Sequence, residues 1–436
     1  MNTSGMIRRR TFLAGLAGLS TAMFLPFERA EAQVSKPFSF AFVSDCHLIT
    51  RLADSFKLTQ ESQLFLQDAI KQINGLAPDF VIFGGDQVEA VGEDEANWQL
   101  FIDIVQTLNC PWSFILGEKD VSGNVPVDKL KTYGRDWKGK GLAGDQSYWS
   151  QDVLPGVHLI GLDTSRANTM AGELSSEQLT WLQADLDSNK HGIVIVASHH
   201  PLLAPAPFDG GPPWDDYVLS EAASAREILN SSRYVRLAVS GHVYVSKIER
   251  ERDIWYVSGP ALDVYPCGFR FFHVDQQGIT VETYQVDYPA LVKKARNNLV
   301  SSTLALHYNN NHPAAFLEVV EGARLDQNAQ LPFSRNGTIE PVKHRSPVKE
   351  KPVVEEKPPE KKKEGHSFFK RKKKQEEPPA KEDAKKVKGD QNKKPPPPAK
   401  EPTKSDEQTD EKAGQEKNEV KEAPDAKQSG ESSNQE

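Results

Sequence analysis

Cysteine is scarce. The 436 residues hold three, Cys46, Cys110 and Cys267, odd in number and far apart. That excludes a disulfide framework as the source of stability, and no Cys-x-x-Cys pair exists to hold a structural zinc. Each cysteine sits among apolar or motif residues and reads as a small buried hydrophobe. Aliphatic and aromatic residues almost vanish beyond about residue 340, where the chain is Lys, Glu, Pro, Ala, Gln and Asp. Such a segment cannot bury enough apolar surface to offset its ordering entropy, so residues 340–436 are expected to form a disordered tail. Strong charge of one sign is also missing: the formal net charge of −8 is spread over the chain, and the tail carries both signs in near balance. No nucleic-acid partner is expected on that pattern. No internal repeat is visible.

What is present begins at the N-terminus. Arg8-Arg9-Arg10-Thr11-Phe12-Leu13 precedes a short apolar run from Ala14 to Leu25, and Ala30-Glu31-Ala32 supplies a small-x-small cleavage signature. The run is too short to span a bilayer. The order of charged head, apolar stretch and cleavage site reads as an export signal over residues 1–32. Its Arg9-Arg10-x-Phe12-Leu13 core resembles the twin-arginine signal. That implies the twin-arginine export machinery as a partner, a mature chain starting near Gln33, and a periplasmic or secreted location as an exported bacterial protein. In the tail, Lys361–Lys363 and Phe368–Lys374 are strongly basic. They are a candidate for weak contact with an anionic envelope surface, against the plainer reading of a solvated charge run.

Residues 36–335 are left as the folded domain, ample for one sizeable core. Short apolar runs of β character recur at Phe38–Val43, Phe80–Phe83, Trp112–Leu116, Val157–Leu162, Ile193–Ala197 and Val235–Val239. Between them lie segments of helical spacing, Lys57–Ile73, Ala96–Leu108, one opened by Ser175, and Leu219–Leu229. Ser175 with Gln178 fits a capping box. Strands at Ile254–Val257, Phe269–Val274 and Ile279–Tyr284 follow without helices. The alternation predicts an α/β fold of two mixed sheets with helices outside. Residues 296–335 are expected to give a last strand and wrapping loop.

Five strand ends carry metal-ligand residue types: Ser44-Asp45-Cys46-His47, Gly84-Gly85-Asp86, Gly117-Glu118-Lys119-Asp120, Ser198-His199-His200-Pro201 and Gly241-His242-Val243-Tyr244. In open α/β sheets the carboxyl ends of strands meet at the ligand crevice. Gathered there, carboxylates and imidazoles can hold two metals that grip phosphoryl oxygens and activate a water. Each piece alone has a bland reading: a strand-end turn for Asp45 or Asp86, a satisfied histidine for His47, His199 or His200. The Ala204–Trp214 loop could wall the pocket.

The ordered set resembles the calcineurin-like metallophosphoesterase family, which includes purple acid phosphatases and cyclic-nucleotide phosphodiesterases. The resemblance covers roughly residues 38–285. It implies a four-layer α/β/β/α sandwich and two divalent or trivalent ions (Fe, Mn or Zn), with a metal-activated water hydrolysing a small phosphate mono- or diester substrate. By position, Asp45 and His47 would bind the first metal, Asp86 would bridge, and His199 and His242 would bind the second. Three positions depart. Glu118 stands where the family has an Asn ligand, Lys119 where it has a His that meets the phosphate, and Tyr244 where it has the last His of Gly-His-x-His. Glu118 can still ligate, Tyr244 can replace the imidazole as a tyrosinate on ferric iron, and Lys119 and His200 are the catalytic candidates, His200 either facing substrate or supporting the ligands from behind. The alternative is a catalytically weakened metal- or phosphate-binding protein of the cell envelope, or a tether whose working part is the tail.

Overall fold

The computed structural model describes residues 34–50, 55–89, 94–121, 146–190 and 192–342. The export signal and the tail beyond residue 342 lie outside the described residues. Two sheets form the centre. One is seven-stranded, in the order β13-β12-β11-β10-β1-β2-β3. Its strands are β1 (Phe38–Val43), β2 (Phe80–Gly84), β3 (Trp112–Ile115), β10 (Gly268–Val274), β11 (Gly278–Gln285), β12 (Ala329–Pro332) and β13 (Glu340–Pro341). The other is six-stranded, β4-β5-β6-β7-β9-β8. It is built from β4 (Trp149–Leu154), β5 (Val157–Gly161), β6 (Ile193–Ser198), β7 (Val235–Ser240), β8 (Lys247–Glu251) and β9 (Ile254–Ser258). Both sheets mix parallel and antiparallel pairs: β1 runs parallel to β2 and antiparallel to β10, and β6 runs parallel to both β5 and β7.

The apolar runs lack polar alternation because both faces of the central strands are covered. Phe40 and Phe42 of β1 turn inward to meet Leu159, Ile195 and Leu237 of the opposite sheet, while Ala41 and Val43 turn outward. The outward face of the first sheet packs on α1 (Ser62–Leu76) and α2 (Asp94–Val105). That of the second packs on α4 (Ser176–Ser188) and α5 (Ala222–Ser231). The four layers are therefore helix, sheet, sheet, helix, as expected. The short α3 (Glu118–Val121) follows β3 directly.

Four local expectations are corrected. Helix α1 begins at Ser62, five residues after Lys57, which lies in the lead-in. The capping box at Ser175 is half formed. Ser175 accepts from the Gln178 N–H, but the Gln178 side chain bonds both backbone groups of Asp163. Residues 296–335 do end in a strand, β12, yet helices fill much of what precedes it: α6 (Pro289–Val300), α7 (Thr303–Tyr308), α8 (Phe316–Glu321) and α9 (Arg324–Gln327). Glu340–Pro341, read as the head of the tail, pairs with β12 as β13.

His158 on β5 sits between two carboxylates: Nδ1 is 2.8 Å from Asp152 and Nε2 is 2.9 Å from Asp185. Burial alone would lower its pKa, but the two carboxylates outweigh burial and raise it above 6.5. A histidine raised in the folded state adds stability that is complete below about pH 6.5 and disappears as pH rises through the raised value. Melting temperature is therefore expected to fall from pH 6 to pH 9 more steeply for the native chain than for His158→Gln. Equal slopes would refute this.

Candidate metal centre

All five ligand-bearing turns arrive at one point because their strands run parallel within each sheet and the two sheets meet there. The turns are tight. Asp45, His47, Asp86, His242 and Tyr244 all adopt left-handed backbone, with φ between 45° and 67°. Each such residue costs on the order of 1–3 kcal/mol, and such strain persists only where the surroundings enforce it. Here they do: Asp45 N–H donates to Gly85 O (3.0 Å), His47 N–H to Asp86 O (2.9 Å) and His242 N–H to Asp45 Oδ2 (3.0 Å). Gly85, at φ 96°, carries no Cβ because one would lie 2.3 Å from His199 Nδ1.

The same bonds aim the side chains. Asp86 Oδ1 accepts from the Lys119 N–H at 2.8 Å, which turns Oδ2 toward the centre. His199 Nδ1 donates to Gly84 O at 2.8 Å, so the Nε2 lone pair faces inward. Such outer bonds fix the tautomer and orientation of a ligating imidazole. Asp45 Oδ1, Asp86 Oδ2 and His242 Nε2 are buried with no hydrogen-bond partner among the described residues. Two groups of ligand atoms result, each within 4.8 Å: Asp45–Asp86–His199 and Glu118–His199–His242. His199 Nε2 lies 3.0 Å from Glu118 and 3.6 Å from Asp86, and His242 Nδ1 lies 3.3 Å from Glu118. Buried, inward-facing oxygen and imidazole donors of this kind fit a divalent or trivalent ion.

Electrostatics carry the mark of crowded carboxylates. Burial first, and Glu118 next, push Asp86 up to about 6. Burial opposes ionisation of Glu118 too, but His242 and His199 outweigh it and hold that carboxyl well below its usual range. Tyr244 is fully enclosed, and burial, with Asp45 and Asp86 nearby, raises its phenol well above 10. It therefore stands as a neutral phenol, its oxygen 3.5 Å from His47 Nε2. Lys119 lies at the rim, Nζ 3.2 Å from Met170 Sδ and 3.6 Å from Glu118 Oε1.

Of the two roles open to His200, supporting the ligands from behind or facing substrate, the structure places it in the first. It is wholly buried, Thr164 Oγ1 bonds Nδ1 at 2.9 Å, and Nε2 donates to Met170 O at 3.0 Å. Both nitrogens are spent, and burial and then His242 push its pKa well down. A neutral ring tilted at 45° to His242, with centroids 4.2 Å apart, positions that ligand candidate. In the Ala204–Trp214 loop, Phe208 and Trp214 are buried in one apolar cluster with Tyr244, and Trp214 stacks on Phe316 of α8.

Three residues at the site carry no sequence signal. Lys57 Nζ lies 3.2 Å from both ring nitrogens of His47 and 3.1 Å from Glu89 Oε2. Glu89 also takes His47 Nδ1 at 2.9 Å. Asp263 is fully buried, and burial, followed by the carboxylates nearby, raises it to about 7 although His47 and Lys57 oppose this. Burial and Lys57 likewise act to lower His47, but Asp263 and Glu89 outweigh them and bring it to about 9.

Residues 38–246 match the model of the family described as calcineurin-like phosphoesterase. A probable glycerophosphodiester phosphodiesterase, GpdQ, from Arcobacter nitrofigilis is 32% identical over 140 residues, covering 31% of this chain and 47% of the relative. The chain thus spans about half the length of that relative. A 3',5'-cyclic-nucleotide phosphodiesterase from Nostoc is 21% identical over 229 residues, 52% of this chain and 78% of the relative. Among solved structures, a dimetal phosphatase from Danio rerio aligns over 56% of this chain and 95% of its own, with 14% identity and a TM-score of 0.46.

Proposed function

Over residues 38–246 the chain belongs to the calcineurin-like phosphoesterase family, and on that premise we propose that it is a metal-dependent hydrolase of phosphate mono- or diesters. The observation that carries the proposal is the pair of buried acid–imidazole groups sharing His199. When bound, the metal supplies Lewis acidity toward a phosphoryl oxygen and a water acidic enough to serve as nucleophile near neutral pH. The chain's own residues do the rest. Asp45 and Asp86 with His199, and Glu118 and His242 with the same His199, would hold metal, each aimed by a contact already described. Lys119 is the half-open cation at the rim and would neutralise a non-bridging phosphate oxygen. An ammonium is a poor proton donor near neutral pH, so protonation of the leaving group falls to solvent. His200, with both nitrogens bound, has no part in proton transfer. The names of the relatives above support trying diesters first.

The assay uses the full chain loaded in turn with manganese, zinc or iron, and aryl phosphate mono- and diesters across pH. Turnover that disappears with chelator and returns with metal is expected. Metal-loaded protein inert to every ester would sink the proposal. We also propose export on the strength of the Arg8–Leu13 and Ala30–Ala32 patterns. Recovery of the chain in the cytoplasmic fraction alone would remove that part.

A further inference from the structure

Glu89 stands outside the ligand set, yet it is fixed against one of its members. Beyond the ends of β1 and β2 the two chains stay paired. Leu48 N–H donates to Gln87 O at 3.0 Å, Glu89 N–H donates to Leu48 O at 2.9 Å, and Leu48 bridges Val88 in parallel. The side-chain amide of Asn97, on α2, adds a bond to Glu89 O at 3.0 Å. The exit of the Asp86 turn therefore runs alongside the exit of the His47 turn. From there the Glu89 side chain reaches His47, its Oε2 2.9 Å from Nδ1. Lys57 Nζ holds the same oxygen at 3.1 Å, which gives the carboxylate a fixed place and a counter-charge.

The consequence falls on the other ring nitrogen. The partner of one imidazole nitrogen sets the tautomer and the aim of the second. With Nδ1 donating to Glu89, the Nε2 lone pair is left to face Asp45 and Asp86. Nε2 lies 3.9 Å from Asp45 Oδ1 and 3.8 Å from Asp86 Oδ2. Both oxygens are buried without a hydrogen-bond partner among the described residues. Ligand bonds of about 2.0–2.2 Å allow donor atoms of one ion to lie up to about 4.4 Å apart, so these spacings suit a shared ion. Lys57 Nζ, 3.2 Å from both ring nitrogens, lies over the face of the ring and leaves the in-plane lone pair clear. The Tyr244 oxygen meets Nε2 only at 3.5 Å, longer than a well-formed bond. His199 differs in one respect. A backbone carbonyl, Gly84 O, aims it, whereas His47 is aimed by a side chain that substitution can remove.

We propose that Glu89 is a positioning residue: it holds His47 with Nε2 toward Asp45 and Asp86, and so sets the affinity for the ion these three would share. The inference deepens the proposed function and rests on it for the presence of metal.

The test is Mn2+ titration of the full chain, with free ion followed by electron paramagnetic resonance and no turnover required. Glu89→Ala is expected to weaken binding at one site by about 10–100-fold. Glu89→Met, which also lacks an acceptor, serves if the Ala variant does not fold. Glu89→Gln keeps an acceptor for the Nδ1 proton and is expected to recover most of the loss. In a His47→Ala chain, removing Glu89 should cost nothing further, because the group it aims is gone. Unaltered binding without Glu89, a Gln variant as weak as the Ala variant, or a loss that persists undiminished without His47 would each overturn the inference and leave the hydrolase proposal intact. A native chain that binds no Mn2+ would overturn both.

Discussion

An Asp86→Asn chain is expected to lose its metal and to hydrolyse esters roughly a thousandfold more slowly, about 4 kcal/mol in transition-state terms, yet to fold at least as stably as the native chain when both are metal-free. Asp86 is wholly buried between the two ligand groups, with Oδ1 held by the Lys119 N–H and Oδ2 without a hydrogen-bond partner. Asparagine keeps the shape and the bond to Lys119 but removes the charge that an ion needs. That same charge burdens the empty site, since burial and Glu118 raise Asp86 from 3.8 to about 6. The sign follows from proton counting. A carboxyl raised in the folded state binds more protons folded than unfolded between about pH 4 and 6. Its contribution to stability therefore falls as pH rises through that window and stays lost at neutral pH. Melting curves in chelator should place the two chains together near pH 4 and the variant higher at pH 7. Added metal should reverse the order, because an ion at a hundred times its Kd stabilises only the chain that binds it, by about 2.7 kcal/mol. An unchanged metal count in the variant would dismiss Asp86 as a ligand.

The ligand set was legible because each member follows a continuous apolar strand, and covered strands at the centre of a sandwich have few other ways to read. Parallel pairing then brings the strand ends together, a consequence of topology that spacing alone anticipates. Lys57 and Glu89 were not legible. Lys57 opens a stretch whose spacing suits a helix, and only the departure of residues 55–61 from helix α1 lets its side chain turn toward His47. Asp263 follows the Gly-Pro-Ala bend after β9, where an acid reads as a turn residue. Strand β8, Lys-Ile-Glu-Arg-Glu at the edge of its sheet, shows one buried residue and so no run. Helices α7, α8 and α9 are four to six residues long, too short for a 3.6-residue period to appear. The role of His200 stayed open because a histidine pair at a strand end does not say which ring faces in; its bonds to Thr164 and Met170 do.

Arg270 is the place where a single substitution should cost the fold most. It lies mid-strand between Phe269 and Phe271, fully buried. Its guanidinium donates to Ser258 O through both Nε (3.3 Å) and Nη2 (2.8 Å), and through Nη1 to Thr283 Oγ1 (2.5 Å), Asp326 O (2.7 Å) and Gln327 O (3.2 Å). Ser258 ends β9 of the second sheet, Thr283 lies on β11 of the first, and Asp326 and Gln327 belong to α9. One side chain thus ties both sheets and the C-terminal helices together. Burial lowers its pKa to about 9, which leaves it charged at neutral pH. Arg270→Met fills the volume but removes the guanidinium donors to Ser258 O and Asp326 O, each worth about 1–3 kcal/mol when a buried carbonyl is left without a donor, while Gln327 O keeps Thr283 Oγ1. A loss of roughly 3 kcal/mol or more follows, and a melting temperature lower by roughly 5–10 °C. Arg270→Lys should recover little, since a compact ammonium cannot span a fork of acceptors on three elements. The effect should reach the metal as well. Gly259, next to Ser258, donates to Ser240 O on the strand that delivers His242, so slack at β9 loosens that turn. Metal affinity in Arg270→Met should therefore fall together with stability, whereas a melting temperature within a degree of the native value would show that the network holds nothing together.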